Sequence, residues 1–439
     1  MSVATFDHPV ARLRKLLGGL PDPRTGQNTR YSMEDIGLGA FCVFFTQFPS
    51  FLDHQKTVQR SKGRSNAQSL FQIGQIPCDN PIRQTLDSVP PETIYPLFDE
   101  VLESLLQTGS LAKWHGVHGT TTIALDGTWY YSSKKIHCDH CSCLEHDNGQ
   151  KTYYHSAVTP VLVAPGQPAA IPLRPEFITP QDGHTKQDCE IAASKRWLEH
   201  NASRYARFPV TLLGDDLYAH QPFCRRTLLY GFHFLFVCKP DSHKTLYDWV
   251  RLLQPGHGIH TLKTRVKNAQ NQWEHHTYRY ANAVPLAEGQ DALKVNWCEV
   301  TITNAKGEVI YLNAFVTDFL ISDQNVAEIV ASARARWKTE NENNNTLKTK
   351  GYHLEHNFGH GKEHLSSVLT TLNLLAFLFH TFLSFTDTNY QLIRATLPSR
   401  KTFFDDLRAL TRYFLFSNWD GLMDFMMQGL EIGPYAKPT

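Results

Sequence analysis

The chain carries no excess of either charge: 43 lysines and arginines face 42 aspartates and glutamates, for a formal net charge of +1. That balance excludes a uniformly polycationic or polyanionic protein, although a basic face can coexist with acidic surface elsewhere. There is no Gly-x-x-x-x-Gly-Lys-Ser/Thr loop, so no nucleotide cofactor is expected, and no His-Glu-x-x-His. Internal repeats and low-complexity segments are missing. The first residues lack the charged and apolar regions of a secretory signal. Long apolar runs are scarce. The most apolar window, residues 365–383, still carries Ser, Thr, Asn and His, and reads as a buried core helix rather than a membrane span. The nine cysteines are odd in number and not spaced as a disulfide framework. A reduced, cytoplasmic chain with no membrane partner is the expectation.

What is present divides along the chain. Residues 1–118 read as helical, with helices over 10–17, 32–48 and 92–106. Basic residues gather there at Arg12, Arg14 and Lys15, and again at Lys56, Arg60, Lys62 and Arg64. They are either solvated helix faces or phosphate contacts. From Thr120 the pattern turns to strands over 121–131, 151–163 and 169–173. A helix follows to about residue 203, opened by Thr185 with Asp188 as a capping pair. Residues 210–214 form a short buried strand, Pro222 starts another helix, and 232–238 form a further buried strand. Strand, strand, strand, helix, strand, helix, strand is the order of a ribonuclease-H-like α/β core. Alternating strands over 259–266, 273–280, 292–303 and 309–315 then form an all-β insertion. A helix over 325–345 and further helices complete the chain. The expected units are 1–118 (helical, DNA-binding), 119–240 and 320–385 (the two parts of the catalytic core), 241–319 (insertion) and 386–439 (C-terminal helical region).

Three carboxylates stand out. Asp126 ends Thr-Ile-Ala-Leu-Asp, Asp215 ends Val-Thr-Leu-Leu-Gly-Asp, and Glu340 ends Ala-Arg-Trp-Lys-Thr-Glu on a helix. Their neighbours Asp216 and Glu342 are the alternatives. Acidic oxygens at strand C-termini converge on one sheet edge. There they suit a pair of hard cations, Mg²⁺ or Mn²⁺, working on a phosphodiester.

With those motifs in view, the chain resembles DDE transposases of bacterial insertion sequences, the cut-and-paste group with a β-strand insertion domain and a Tyr-Arg-Glu-Lys signature. Leu125-Asp126-Gly127-Thr128, Leu213-Gly214-Asp215-Asp216 and Arg336-Trp337-Lys338-Thr339-Glu340 match its three catalytic blocks, and the likeness covers about 120–365. It implies that Asp126, Asp215 and Glu340 hold two Mg²⁺ (or Mn²⁺) ions. It implies too that Arg336 and Lys348, flanked by Arg334 and Lys338, contact DNA. The partners implied are duplex DNA with terminal inverted repeats, target DNA, and a second copy of the chain on that DNA, in a bacterial cytoplasm. Two departures are visible: Ala333 stands where the signature has tyrosine, and Lys348 lies one residue beyond the position held here by Leu347. A nuclease without strand transfer and a binder without catalysis are the rivals.

The compressed run His137-Cys138-Asp139-His140-Cys141-Ser142-Cys143 also suits a metal. Cys138, Cys141, Cys143 and His140 could hold structural Zn²⁺ at a hairpin tip, against the alternative of reduced cysteines in a loop. His353, His356, His360 and His364 form a second imidazole-rich stretch, which reads either as a close approach to DNA or as an ordinary loop. Trp273 and Trp297 are read as packing rather than as base-stacking platforms.

Overall fold

In the computed structural model, which describes residues 6–25, 29–58, 61–180, 188–256 and 258–436, the chain is a mixed α/β protein. Arg60 and Thr185 lie outside the described residues, as do the side chains of Lys62 and Arg64.

Six helices come first: α1 (Asp7–Gly18), α2 (Met33–Phe45), α3 (Phe51–Val58), α4 (Ser61–Phe71), α5 (Asp79–Leu86) and α6 (Pro96–Gln107). Helix α2 is capped by Ser32, whose hydroxyl accepts from the Asp35 N–H, and is buried on every side. A helix apolar all round needs neighbours all round. It finds them in α1, α3, α5 and α12 (Leu365–Thr386), and in Trp419 of α15 (Trp419–Gly429), whose ring meets Phe45; α13 (Thr388–Thr396) and α14 (Arg400–Tyr413) lie between α12 and α15 in the chain. The Phe41 and Phe379 rings lie 5.1 Å apart, and Phe6 and Trp419 lie 4.4 Å apart. The segments 1–118 and 386–439 therefore share one apolar core with α12. Helix α12 is long and apolar enough to cross a membrane, but 89% of its most apolar stretch is buried inside the fold.

The strands follow: β1 (Thr121–Ala124), β2 (Gly127–Ser133), β3 (Ser142–Glu145), β4 (Lys151–Val158), β5 (Val161–Val163), β6 (Ile171–Pro172) and β7 (Glu176–Ile178). Then come α7 (Glu190–Tyr205), β8 (Val210–Gly214), α8 (Gln221–Leu229), β9 (His233–Val237) and α9 (Lys244–Leu252). The series closes with β10 (Gln254–Pro255), β11 (Gly258–Lys267), β12 (Trp273–Pro285), β13 (Lys294–Asn304) and β14 (Val309–Thr317). Ten of them form one sheet in the order β10-β11-β12-β13-β14-β9-β8-β1-β5-β6. The centre, β1-β8-β9, is parallel, and β8 is buried at every position, as two-sided coverage by helices requires.

The smaller sheet, β2-β4-β3 with β7, grows out of the larger one. The β1–β5 pairing (Ile123 opposite Leu162) and the β2–β4 pairing (Gly127 opposite Val158) share a single register. The Thr159 N–H bonds the Asp126 carbonyl between them at 2.9 Å. The chain thus makes one long bent hairpin, in line with the two strands read over 121–131 and 151–163. It kinks where Asp126 stands near Pro160, a residue with no N–H to give a ladder.

Two expectations change. Segment 241–319 is not all-β, since it opens with α9, and its four long strands continue the core sheet, because β14 pairs with β9 through Phe315, Val316 and Thr317. The helix expected over 325–345 is broken. Helix α10 (Val326–Arg334) ends early, Thr339–Asn344 forms a π-helical turn, and α11 (Asn345–Thr349) follows. The polar run Asn341-Glu-Asn-Asn-Asn345 offers the backbone competing side-chain hydrogen bonds, which suits a widened turn. Asp188 does not cap α7, which starts at Glu190. It binds Arg196 at 2.7 Å and accepts from the Thr179 N–H.

Candidate active site at the sheet edge

Strands β1 and β8 run parallel as neighbours, and Leu125 N–H extends their ladder to the Leu213 carbonyl. Asp126 and Asp215 therefore leave the sheet at the same edge, one strand apart. Asp215 accepts from the Leu217 N–H at 2.9 Å, which fixes the turn after β8. Glu340 comes from the π-helical turn, where such distortions commonly accompany function.

These groups feel one another. The Asp126 carboxyl is pushed up to about 7, first by burial and then by the negative charge of Glu190. Asp215 and Glu340 add to the repulsion, and the Arg336 guanidinium opposes it. Asn344 donates from Nδ2 to Asp126 Oδ2 at 2.9 Å, and its own Oδ1 accepts from Thr159 Oγ1 at 3.0 Å and from Asn343 Nδ2 at 2.9 Å. The fourth carboxylate, Glu190, was not anticipated from sequence. It opens α7, accepts from the Tyr218 hydroxyl at 2.6 Å, and is itself held above the ordinary carboxylate range by burial. It presses so closely on Gly127 that a Cβ there would lie 2.3 Å from Glu190 Oε2. Nothing in its local sequence marks it, since a glutamate in the first turn of a helix is ordinary.

Four carboxylates against one guanidinium leave a negative site built of hard oxygen donors, and that donor set fits Mg²⁺ or Mn²⁺. Two ions about 3.5–4 Å apart would spread the ligands over two centres, so the acids need not converge on one point. Of the neighbouring alternatives, Asp216 is engaged elsewhere. It accepts from the Lys239 N–H at 2.5 Å and faces His243 Nε2 at 3.3 Å.

The basic residues divide. Arg336 lies near enough to Asp126 and Glu190 for its charge to oppose the rise of both carboxyls. Lys338 is buried, donates to the Ala164 carbonyl, and is held below the usual lysine range by that burial, so it is unavailable to DNA. Lys348 pairs with Glu355 at 2.9 Å, while Leu347, in the signature's lysine position, is fully buried. Arg334 is exposed but lies over the Tyr311 ring at 4.5 Å, on the side of the strand extension. In the N-terminal region Arg12 pairs with Glu100, and Arg14 donates to the Gln72 carbonyl. Trp297 is buried, whereas Trp273 is partly exposed with Arg265 over its ring at 4.1 Å.

The cysteine cluster is also redistributed. Cys138 and Cys141 meet His155 of β4 and His360, their donor atoms all lying within 4.8 Å of one another. Cys143 is exposed on β3, and His140 instead faces the Lys362 carbonyl at 3.0 Å. The compressed motif thus supplies only two members of the group. The partner imidazoles come from 14 and 219 residues beyond Cys141.

Comparison with models of known families and with curated proteins finds no match to this chain.

Proposed function

We propose that the chain is a DDE-type DNA transposase with a ribonuclease-H-like core, cutting DNA at transposon ends and joining them to target DNA. The observation that carries this reading is that Asp126 and Asp215 leave adjacent parallel strands at the same sheet edge, with Glu340 and Arg336 near enough for their charges to act on the Asp126 carboxyl. The strand order supports it. Strand β1 sits between an antiparallel pair, β5 and β6, and the parallel β8 and β9, with α7 and α8 as the connecting helices. The motif resemblance described above agrees with both.

Asp126, Asp215 and Glu340 would hold the ions. When bound, Mg²⁺ or Mn²⁺ supplies Lewis-acid polarisation of the scissile phosphate and acidifies the attacking hydroxyl. The chain's own groups do the rest. Asn344 fixes one oxygen of Asp126, leaving the other free as a ligand. The Arg336 guanidinium, planar and permanently charged, offers a bidentate grip on a phosphate and orients the strand beside the acids. Glu190 adds to the negative charge beside Asp126, which favours cation binding, and Tyr218 holds it in place. Two DNA ends must be joined, so the working form on DNA is a pair of chains.

The test uses duplex DNA carrying the sequences that flank the coding region. Mg²⁺-dependent nicking at an inverted repeat and joining of a pre-cleaved 3′ end to plasmid are expected. Asp126→Asn, Asp215→Asn and Glu340→Gln should each abolish both while leaving DNA binding intact. Cleavage without joining would reduce the reading to a nuclease. Tight binding with no nicking by the native chain would overturn the enzyme altogether.

A further inference from the structure

We infer that Cys138, Cys141, His155 and His360 form a closed structural zinc site, which ties the hairpin carrying Asp126 to the loop that follows the Glu340 helix. The inference stands on this cluster alone and does not need the transposase reading.

The distances decide for an ion over a hydrogen-bonded cluster. A tetrahedral Zn²⁺ with sulfur at about 2.3 Å and nitrogen at about 2.0–2.1 Å sets ligand edges of roughly 3.8 Å between sulfurs, 3.5 Å between sulfur and nitrogen, and 3.3 Å between nitrogens. Here the Sγ atoms of Cys138 and Cys141 are 3.7 Å apart. His155 Nε2 lies 3.3 Å from Cys138 Sγ and 3.4 Å from Cys141 Sγ. His360 Nδ1 lies 3.9 Å from Cys141 Sγ and 3.2 Å from His155 Nε2. Protons cannot fill all of these contacts. Two thiols and two ring nitrogens bring at most one proton each, and a nitrogen that carries its proton no longer accepts. One cation at the centre satisfies all four atoms together.

The donor set names the ion. Two thiolates and two imidazoles in tetrahedral array select zinc over magnesium or calcium, and four protein ligands leave no open position for chemistry. The surroundings fix the rings. Tyr130 stacks on His155 at an interplanar angle of 10°, and the Tyr131 ring meets His360 edge-on at 4.2 Å. Such a shell orients ligands and limits access of water.

The position gives the clip its consequence. His155 is on β4, whose ladder with β2 begins just past Asp126. His360 lies between α11 and α12, in the chain leaving the turn that bears Glu340. The ion therefore fastens together the two segments that bring these acids to one edge. The hydrogen bond from His140 to Lys362 reinforces the same junction.

The full-length protein, purified without chelator, should contain one zinc per chain by elemental analysis. Cys138→Ser and His360→Ala should each lose it and unfold at lower temperature, whereas Cys143→Ser and His140→Ala should keep it. If the ligand variants prove insoluble, cobalt(II) exchanged into the native chain should show tetrahedral d–d bands and thiolate-to-cobalt charge transfer. Native protein that holds no stoichiometric zinc as purified or after zinc addition would overturn the site. Unchanged zinc in both ligand variants, or cobalt without thiolate bands, would do the same.

Discussion

Asn344 holds Asp126: its amide gives one hydrogen bond to the carboxylate at 2.9 Å, and its carbonyl receives Thr159 and Asn343 behind it. The contact joins the first strand to the turn that carries Glu340. It is thus the physical link between two of the three acids. Asn344→Ala leaves the buried Thr159 hydroxyl without this partner and frees Asp126 to rotate. Stability should fall by about 1–3 kcal/mol, the cost of an unmet buried polar group. Mg²⁺-dependent nicking should fall more steeply than DNA binding. Equal loss of both, tracking the fraction folded, would make the residue merely structural.

Glu190 is close enough to raise Asp126, yet it is tied to Tyr218 and to Gly127 rather than projecting outward. Glu190→Gln should therefore shift the magnesium requirement without abolishing cleavage, by about 10–100-fold in concentration, the range for groups just behind metal ligands. Gly127→Ala should mimic it. The added methyl meets the far end of the Glu190 side chain, so the carboxylate moves while the fold stays. A magnesium titration of nicking in both variants checks this, and unaltered half-saturation would remove Glu190 from the site.

How much of this the sequence revealed depends on the reach of each signal. Asp126 and Asp215 were visible because short apolar strands end in them, and strand period and burial are local properties. Glu340 was visible through Arg336-Trp337, although its turn proved π-helical once the Asn-rich run had bent the helix. Glu190, His155 and His360 were not legible as members of these groups. Glu190 arrives with α7 as it packs on β4 and β7, His155 with β4 as it pairs with β2, and His360 with a loop more than 200 residues from Cys138, and spacing carries no trace of such contacts. The same limit misassigned Cys143 and His140: both lie beside true members of the cluster, but the backbone aims one at solvent and the other at Lys362. Lys338 failed for a different reason. One position in three or four on a helix faces inward, and charge alone does not say which.

Arg336 and Lys338 lie two residues apart and should behave oppositely. Arg336→Ala removes a free cation beside the acids, so the slope of log affinity against log salt should become shallower by about one unit for DNA. Lys338→Met removes an ammonium that is already withdrawn into the fold. Its salt slope should match that of the native chain, and any loss should show as altered unfolding. Binding isotherms at several salt concentrations separate the two. A shallower slope for Lys338→Met would return that lysine to the DNA-facing surface.

The Asp126 carboxyl gives the site a pH dependence with a definite sign. Unfolded, it titrates near 3.8; folded, near 7. Between those values the folded chain keeps a proton that the unfolded chain releases, so this group's contribution to stability declines as pH rises through that window and stays low above it. Asp126→Asn removes the penalty. In buffer without added magnesium the variant should be more stable than the native chain at pH 8, by up to about 4 kcal/mol, and the difference should close towards pH 4. Protons and Mg²⁺ also compete for the same oxygen, so added magnesium should raise the native unfolding temperature more at pH 8 than at pH 6 and should have little effect on the variant. Urea denaturation across that range measures the first effect and thermal unfolding with magnesium the second. Parallel pH profiles for the two proteins would mean that Asp126 does not carry the site's uncompensated charge.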